Sequence, residues 1–140
     1  VRSLLDTNVL VYADAADAPK KQRRAVELIK SHRAAGNAVL STQVLGEYVN
    51  VALRKLQLPP VLIRERLAFY GRFEVVPASV GLIESALNLH VLHGVAFFDA
   101  LIVQAAIASG CGRVLSEDMH EGATFDGVRV VNPFKDSFGG

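Results

Sequence analysis

Ser3-Leu4-Leu5-Asp6-Thr7-Asn8 opens the chain with a short apolar run that meets a polar cluster. A run of this kind reads as a buried strand ending in a turn. Working outward, Asp17-Ala18-Pro19 has the composition of a helix start, with Pro near the first turn. A helix is expected over residues 20–35, placing Ala25, Val26, Leu28 and Ile29 toward the core and Gly36 past its end. Ala38-Val39-Leu40 is a second short apolar run, and Ser41-Thr42 supplies N-cap candidates for a helix over 43–57. Pro59-Pro60 interrupts the chain before a helix over 61–70. The third strand is expected at 73–76, and a helix over 79–92 ends near Gly94. A strongly apolar helix runs over 98–109 and stops at Gly110; strands follow at 113–116 and 128–131.

Strands that alternate with helices require crossover connections, and crossovers give parallel pairing with helices on both sheet faces. The expected fold is therefore α/β: a three-layer α/β/α sandwich around a mostly parallel sheet of four to five strands, in one domain over residues 1–140. In such sheets, sites lie beyond the C-terminal ends of the strands.

Composition narrows the function classes. Half the residues are hydrophobic, enough for an ordinary globular core. A formal net charge of +1 argues against a protein that coats nucleic acid, so any such site must be a local patch. The single cysteine, Cys111, excludes an internal disulfide and a cysteine-based zinc cage, and fits a reducing compartment. No apolar run reaches the roughly 20 residues that span a bilayer, and no signal peptide or membrane association is expected.

Four acids then stand out. Asp6 follows the first strand and Asp118 follows the fourth, so both belong at the C-terminal edge of the sheet. Glu47 lies early in the helix after strand two, and Asp99 at the start of the helix that feeds strand four. Taken singly, Asp6 could shape a turn, Asp99 could cap a helix, and Asp118 and Glu47 could be solvated acids. Taken together they are a problem the fold must solve. Two carboxylates about 4 Å apart repel by roughly 4 kcal/mol at an effective dielectric near 20. They must take up protons or bind cations. Oxygen donors with no clustered His or Cys suit Mg²⁺ or Mn²⁺. One or two such ions can lower the pKa of water and stabilise a phosphodiester transition state.

The same residues carry a family resemblance. Leu4-Leu5-Asp6-Thr7-Asn8-Val9-Leu10, Ser41-Thr42-Gln43-Val44-Leu45-Gly46-Glu47, Phe98-Asp99-Ala100-Leu101-Ile102 and Leu115-Ser116-Glu117-Asp118-Met119 resemble, in order, the four motifs of PIN-domain nucleases. The short length and the Asn132-Pro133-Phe134 ending resemble the VapC-type toxins of bacterial type II toxin-antitoxin systems. The resemblance implies a cytoplasmic Mg²⁺- or Mn²⁺-dependent endoribonuclease, usually a homodimer, inhibited by a small antitoxin. It implies Asp6, Asp99 and Asp118 as metal ligands, with Glu47 holding a metal or its water. Thr7 and Ser116 would supply supporting hydroxyls and Asn8 would steady the turn. Glu117 and Glu121 are candidate additional acids, because the fourth motif departs from many relatives there.

Other features have plainer readings. The basic run Lys20-Lys21-Gln22-Arg23-Arg24 reads first as a solvated face, and second as a contact for RNA or antitoxin through Lys20, Lys21, Arg23 and Arg24. His90 and His93 are three residues apart on a helix but lack a third zinc ligand, so packing or surface roles are expected; His120 reads as a loop residue able to reach substrate. Tyr48, Phe69, Tyr70, Phe97 and Phe98 are expected in the core or an interface. Two alternatives compete with the nuclease: a non-catalytic PIN-fold binding module, and a haloacid-dehalogenase-type phosphatase. The phosphatase motif would need a second Asp where Asn8 stands.

Overall fold

The computed structural model describes residues 1–139. Strand β1 (Ser3–Leu5) lies inside a six-stranded sheet ordered β3-β2-β1-β4-β6-β5. Its neighbours are β2 (Ala38–Ser41) and β4 (Arg113–Leu115), both parallel to it; β3 (Glu74–Val76) extends one side and β6 (Val128–Val131) the other, also in parallel. Every residue of β1 and β2 is buried, which requires cover on both faces of the sheet. The strand–helix alternation thus yields the expected mostly parallel α/β architecture. It differs in strand number: β5 (Thr124–Phe125), two residues long, pairs antiparallel with β6 through the turn at Asp126-Gly127. Two residues carry no readable alternation, which is why only four to five strands were expected.

Six helices among the described residues link and cover these strands. α2 (Pro19–Ala34) starts with Pro19, and Gly36 beyond it takes the left-handed φ of +70° that a side chain would strain. Ser41 Oγ caps α3 (Thr42–Arg54) by accepting from Val44 N at 3.2 Å. α4 (Pro60–Tyr70) begins at the proline pair. Ser79 caps α5 (Val80–His93), which Gly94 ends in the left-handed conformation. α6 (Phe97–Ala108) packs on α5 and reaches β1, β2, β4 and β6. Ala100, Leu101, Ile102, Val103, Ala105 and Ala106 are all buried, as an almost uniformly apolar helix should be.

The sixth helix, α1 (Thr7–Ala13), stands where a turn was expected. Its sequence, TNVLVYA, is rich in β-branched residues and weak in helix propensity. Two tertiary effects outweigh that. Asp6 occupies the N-cap and accepts from Thr7 N at 2.7 Å, and Val9 and Leu10 are fully buried.

From β1 the chain builds outward through β2 to β3, then returns to the other side of β1 to place β4 and β6. The reversal lies between β1 and β4, so their C-terminal ends border the crevice where open parallel sheets hold ligands. No single helix among the described residues is long and apolar enough to cross a membrane.

Candidate metal centre

The crevice holds the acids. Asp6 leaves the end of β1, with its N–H donating to Leu115 O of β4 at 3.0 Å. Its side chain is only 5% exposed and is held on three sides. Ser116 Oγ donates to Oδ2 at 2.6 Å, Asn8 Nδ2 reaches the same oxygen at 3.4 Å, and Thr7 N binds Oδ1. Burial pushes the Asp6 carboxyl up to about 6; the Ser116 and Thr7 hydrogen bonds oppose the rise, and the Glu47 and Asp118 charges add to it.

Ser116 and Asn8 tie β1 to the loop after β4. Fully buried Ser116 Oγ accepts from Asp118 N at 3.2 Å and Met119 N at 3.3 Å while donating to Asp6. Asn8 Nδ2 donates to Asp118 Oδ2 at 3.2 Å, and Asn8 Oδ1 accepts from Glu117 N at 3.2 Å. Asn8 therefore clamps the Asp118 loop, a wider task than steadying the turn at Asp6.

Glu47 arrives from α3. Thr7 Oγ1 donates to its Oε1 at 2.7 Å, and Gln43, one helical turn earlier, places Nε2 3.4 Å from Oε2. The same Gln43 nitrogen donates to Phe98 O at 3.2 Å, joining α3 to the start of α6. Asp99 sits in the first turn of α6; Ala96 occupies the cap, so capping does not account for Asp99. Burial raises the Asp99 pKa, and the Glu47 and Asp118 charges raise it further.

A cavity of about 330 Å³ collects these groups: Asp6, Thr7, Gln43, Glu47, Asn50, Val51, Phe98, Asp99, Ile102 and Asp118 line it. All four acids singled out from the sequence share it. Larger cavities exist, of about 610 Å³ near Arg113 and Arg129 and about 380 Å³ between Val26 and Tyr70, but neither gathers several carboxylates. A further cavity, also about 330 Å³, adjoins the acids through Asp99 and contains His93 and His120.

The remaining candidates are engaged elsewhere. Glu117 accepts from Lys21 Nζ at 2.5 Å and Tyr12 OH at 2.6 Å, and Glu121 pairs with Lys135 and Asn132 N; neither lines the acid cavity. Lys21 also lies 4.8 Å from the Tyr12 ring centroid, while Arg24 donates to Lys135 O at 3.2 Å. Lys20 and Arg23 are exposed. His90 Nδ1 contacts Val95 O at 2.5 Å, and His93 stands edge-on to Phe125, so the pair shares no ligand. Cys111 is buried. Of the aromatics expected in the core or an interface, Phe98 is not in the core: it is 63% exposed.

Sequence reasoning missed Gln43, Asn50 and Phe98. The signal for the first two was helical spacing, since Gln43 and Asn50 stand four residues before and three after Glu47. It also missed Asp14. This acid, whose side chain is 7% exposed, ends α1, accepts from Tyr48 OH of α3 at 2.5 Å, and pairs with Arg66 of α4 at 2.9 Å. With the Thr7–Glu47 contact, both ends of α1 are fastened to α3.

The comparisons agree with this architecture. A toxin-antitoxin complex from Klebsiella pneumoniae contains a chain of similar structure, with a TM-score of 0.66 and 19% identity, over 94% of this chain and 97% of that one. The Mycobacterium tuberculosis VapC20, described as a sarcin-ricin loop cleaving toxin, gives a TM-score of 0.61 and 17% identity, over 83% of this chain and 91% of that one. At these identities the likeness is one of fold. No curated protein sequence matches. The family model described as PIN domain matches residues 3–120, most of the chain and all four acids, and the protein belongs to the PIN domain family.

Proposed function

We propose that the chain is a metal-dependent endoribonuclease whose centre is Asp6, Glu47, Asp99 and Asp118, and that it serves as the toxin of a toxin-antitoxin pair. The observation that carries the reading is the convergence of four carboxylates on one cavity, with Asp6 and Asp99 both driven away from ionisation by burial and by their neighbours. An arrangement that penalises its own charges is relieved by a cation.

The residues fit Mg²⁺ or Mn²⁺. Their donors are hard oxygens; among the described residues no three His, Cys, Asp or Glu side chains stand grouped to hold an ion, so the fit rests on donor chemistry and on the shared cavity. Gln43 Oε1 adds support: this cavity-lining residue has the one buried side-chain acceptor without a hydrogen-bond partner among the described residues. It offers an acceptor to a water or hydroxyl that enters with the ion or substrate.

Asp6, Asp99 and Asp118 would hold the ion, which when bound supplies charge neutralisation at the scissile phosphate and a more acidic water. Glu47, fixed by Thr7 and Gln43, would hold a metal or its water. Ser116 and Asn8 keep Asp6 and Asp118 facing the same crevice. Loss of one acid would favour the non-catalytic module, and all four are present. RNA as substrate, an antitoxin partner and a homodimer belong to this reading, supported by the toxin folds that the chain resembles. Incubation of the protein with matched RNA and DNA strands, in Mg²⁺ or Mn²⁺ and in EDTA, tests it: RNA is cleaved only with metal. Intact RNA under every metal condition, with no heat of metal binding, would overturn it.

A further inference from the structure

Phe98 is the anomaly of the crevice. A phenylalanine ring exposed at 63% forgoes most of the burial that normally accounts for its presence. It stands immediately before Asp99 and lines the acid cavity. Gln43 Nε2 donates to its backbone carbonyl at 3.2 Å, fastening the first turn of α6, and its ring meets the half-buried Phe97 edge-on, with centroids 5.4 Å apart. The ring is thus an exposed apolar surface, backed by Phe97, at the lip of a cavity whose other distinctive groups are acids.

An acid-lined cavity repels a phosphate chain except where a cation intervenes, so substrate binding needs energy that does not depend on charge. Base stacking on an aromatic face supplies it, and tolerates any base, because every base has a π-face. We propose that Phe98 is the stacking platform for an unpaired nucleobase of the RNA strand, next to the phosphate held at the acids, and that Gln43 is the positioning residue that sets the platform. The inference rests on the nuclease reading for the identity of the strand. It implies that the substrate presents a single-stranded or splayed base at the cleavage site, because a base stacked within a duplex offers no free face.

The chain contains no Trp, so Phe98→Trp creates a single fluorescent reporter at the platform itself. The probes are a short single-stranded oligoribonucleotide and an abasic strand of equal length and charge, both in Ca²⁺, a hard cation that oxygen donors bind and that limits phosphate repulsion. Saturable quenching by the normal strand, at least tenfold weaker with the abasic strand, is the expected result. Equal quenching by both, or none by either, overturns the proposal. So does an emission shift that follows protein concentration without RNA, which would assign the ring to an interface between two copies of the chain. In cleavage assays with Mn²⁺, Phe98→Leu keeps the apolar volume but removes the π-face; KM rises roughly tenfold, and Phe98→Trp restores it. Cleavage by both variants with unchanged KM refutes the platform and leaves the nuclease reading standing. Absence of cleavage by the unaltered protein refutes that reading, and the fluorescence titration still decides whether Phe98 meets a base.

Discussion

The Thr7 hydroxyl donates to Glu47 Oε1 at 2.7 Å, so the first residue of α1 fixes the acid that α3 brings to the cavity. Thr7→Val keeps the shape and removes the donor. We predict a nearly unchanged melting temperature, with metal affinity or cleavage reduced by about 10- to 100-fold, the usual cost of losing a partner of a metal ligand. Calorimetric titration with Mn²⁺ beside thermal melting checks both halves.

At the other end of α1, Tyr48 OH donates to Asp14 Oδ2 at 2.5 Å within the pair made by Arg66. Tyr48→Phe leaves a buried carboxylate with one partner fewer. We predict a loss of about 1–3 kcal/mol, roughly 3–10 °C in melting temperature for a domain of this size. The loss disappears in a background where Asp14 is already Ala, because the two changes remove the same contact. Chemical denaturation of the single and double variants measures the coupling.

Asp99 should cost stability in the absence of metal, since burial, Glu47 and Asp118 all oppose its charge. Asp99→Asn removes that charge at nearly constant volume. The metal-free variant is expected to melt a few degrees higher than the unaltered protein and to lose the rise that Mn²⁺ produces. Differential scanning fluorimetry with and without the ion gives the comparison; a variant that melts lower without metal and still responds to Mn²⁺ would contradict it.

His32 gives a pH dependence of known sign. Burial lowers its pKa below the ordinary 6.5, and the Arg113 charge adds to the effect against the Leu28 carbonyl bond. Arg113 Nη2 lies 3.0 Å from Nε2, which places the imidazole proton on Nδ1 toward Leu28 O. The unfolded chain takes up a proton near 6.5 and the folded chain only at lower pH. The contribution is therefore complete above pH 6.5 and is lost as pH falls through and below that value. Asp6 and Asp99, raised in the fold, act in the opposite direction, so the informative quantity is a difference curve. Relative to His32→Gln, the unaltered protein should lose stability between pH 7.5 and 5.5, as read by denaturation at each pH.

The sequence carried the fold class because its strands are short, apolar and separated by helices with clear starts. Ser41 caps where a cap was read, Ser79 caps the helix expected to open there, and Gly94 ends α5 as a glycine near a helix end suggests. α1 escaped notice because its β-branched residues speak against a helix, and the burial of Val9 and Leu10 that decides the matter is tertiary. Asp6 and Asp118 were legible from their places beside strand ends, and Glu47 and Asp99 from the early turns of helices. What joins them was not: the Ser116–Asp6 bond spans 110 residues of sequence, and no local pattern announces it. Nothing in the local sequence singles out Asp14, whose importance comes from Tyr48 and Arg66 on two other helices. Between core and interface the sequence does not choose for Phe98, and its exposure in the first turn of α6 removes the core.

Single-turnover cleavage of a mixed panel of structured RNAs, comparing the unaltered protein with a folded Asp6→Asn/Asp99→Asn variant in Mn²⁺ and in EDTA, tests the central claim most directly. Cleavage that requires both the ion and the two acids is the result predicted. Equal cleavage by the double variant, or cleavage that persists in EDTA, would show that the four carboxylates do not form the catalytic centre.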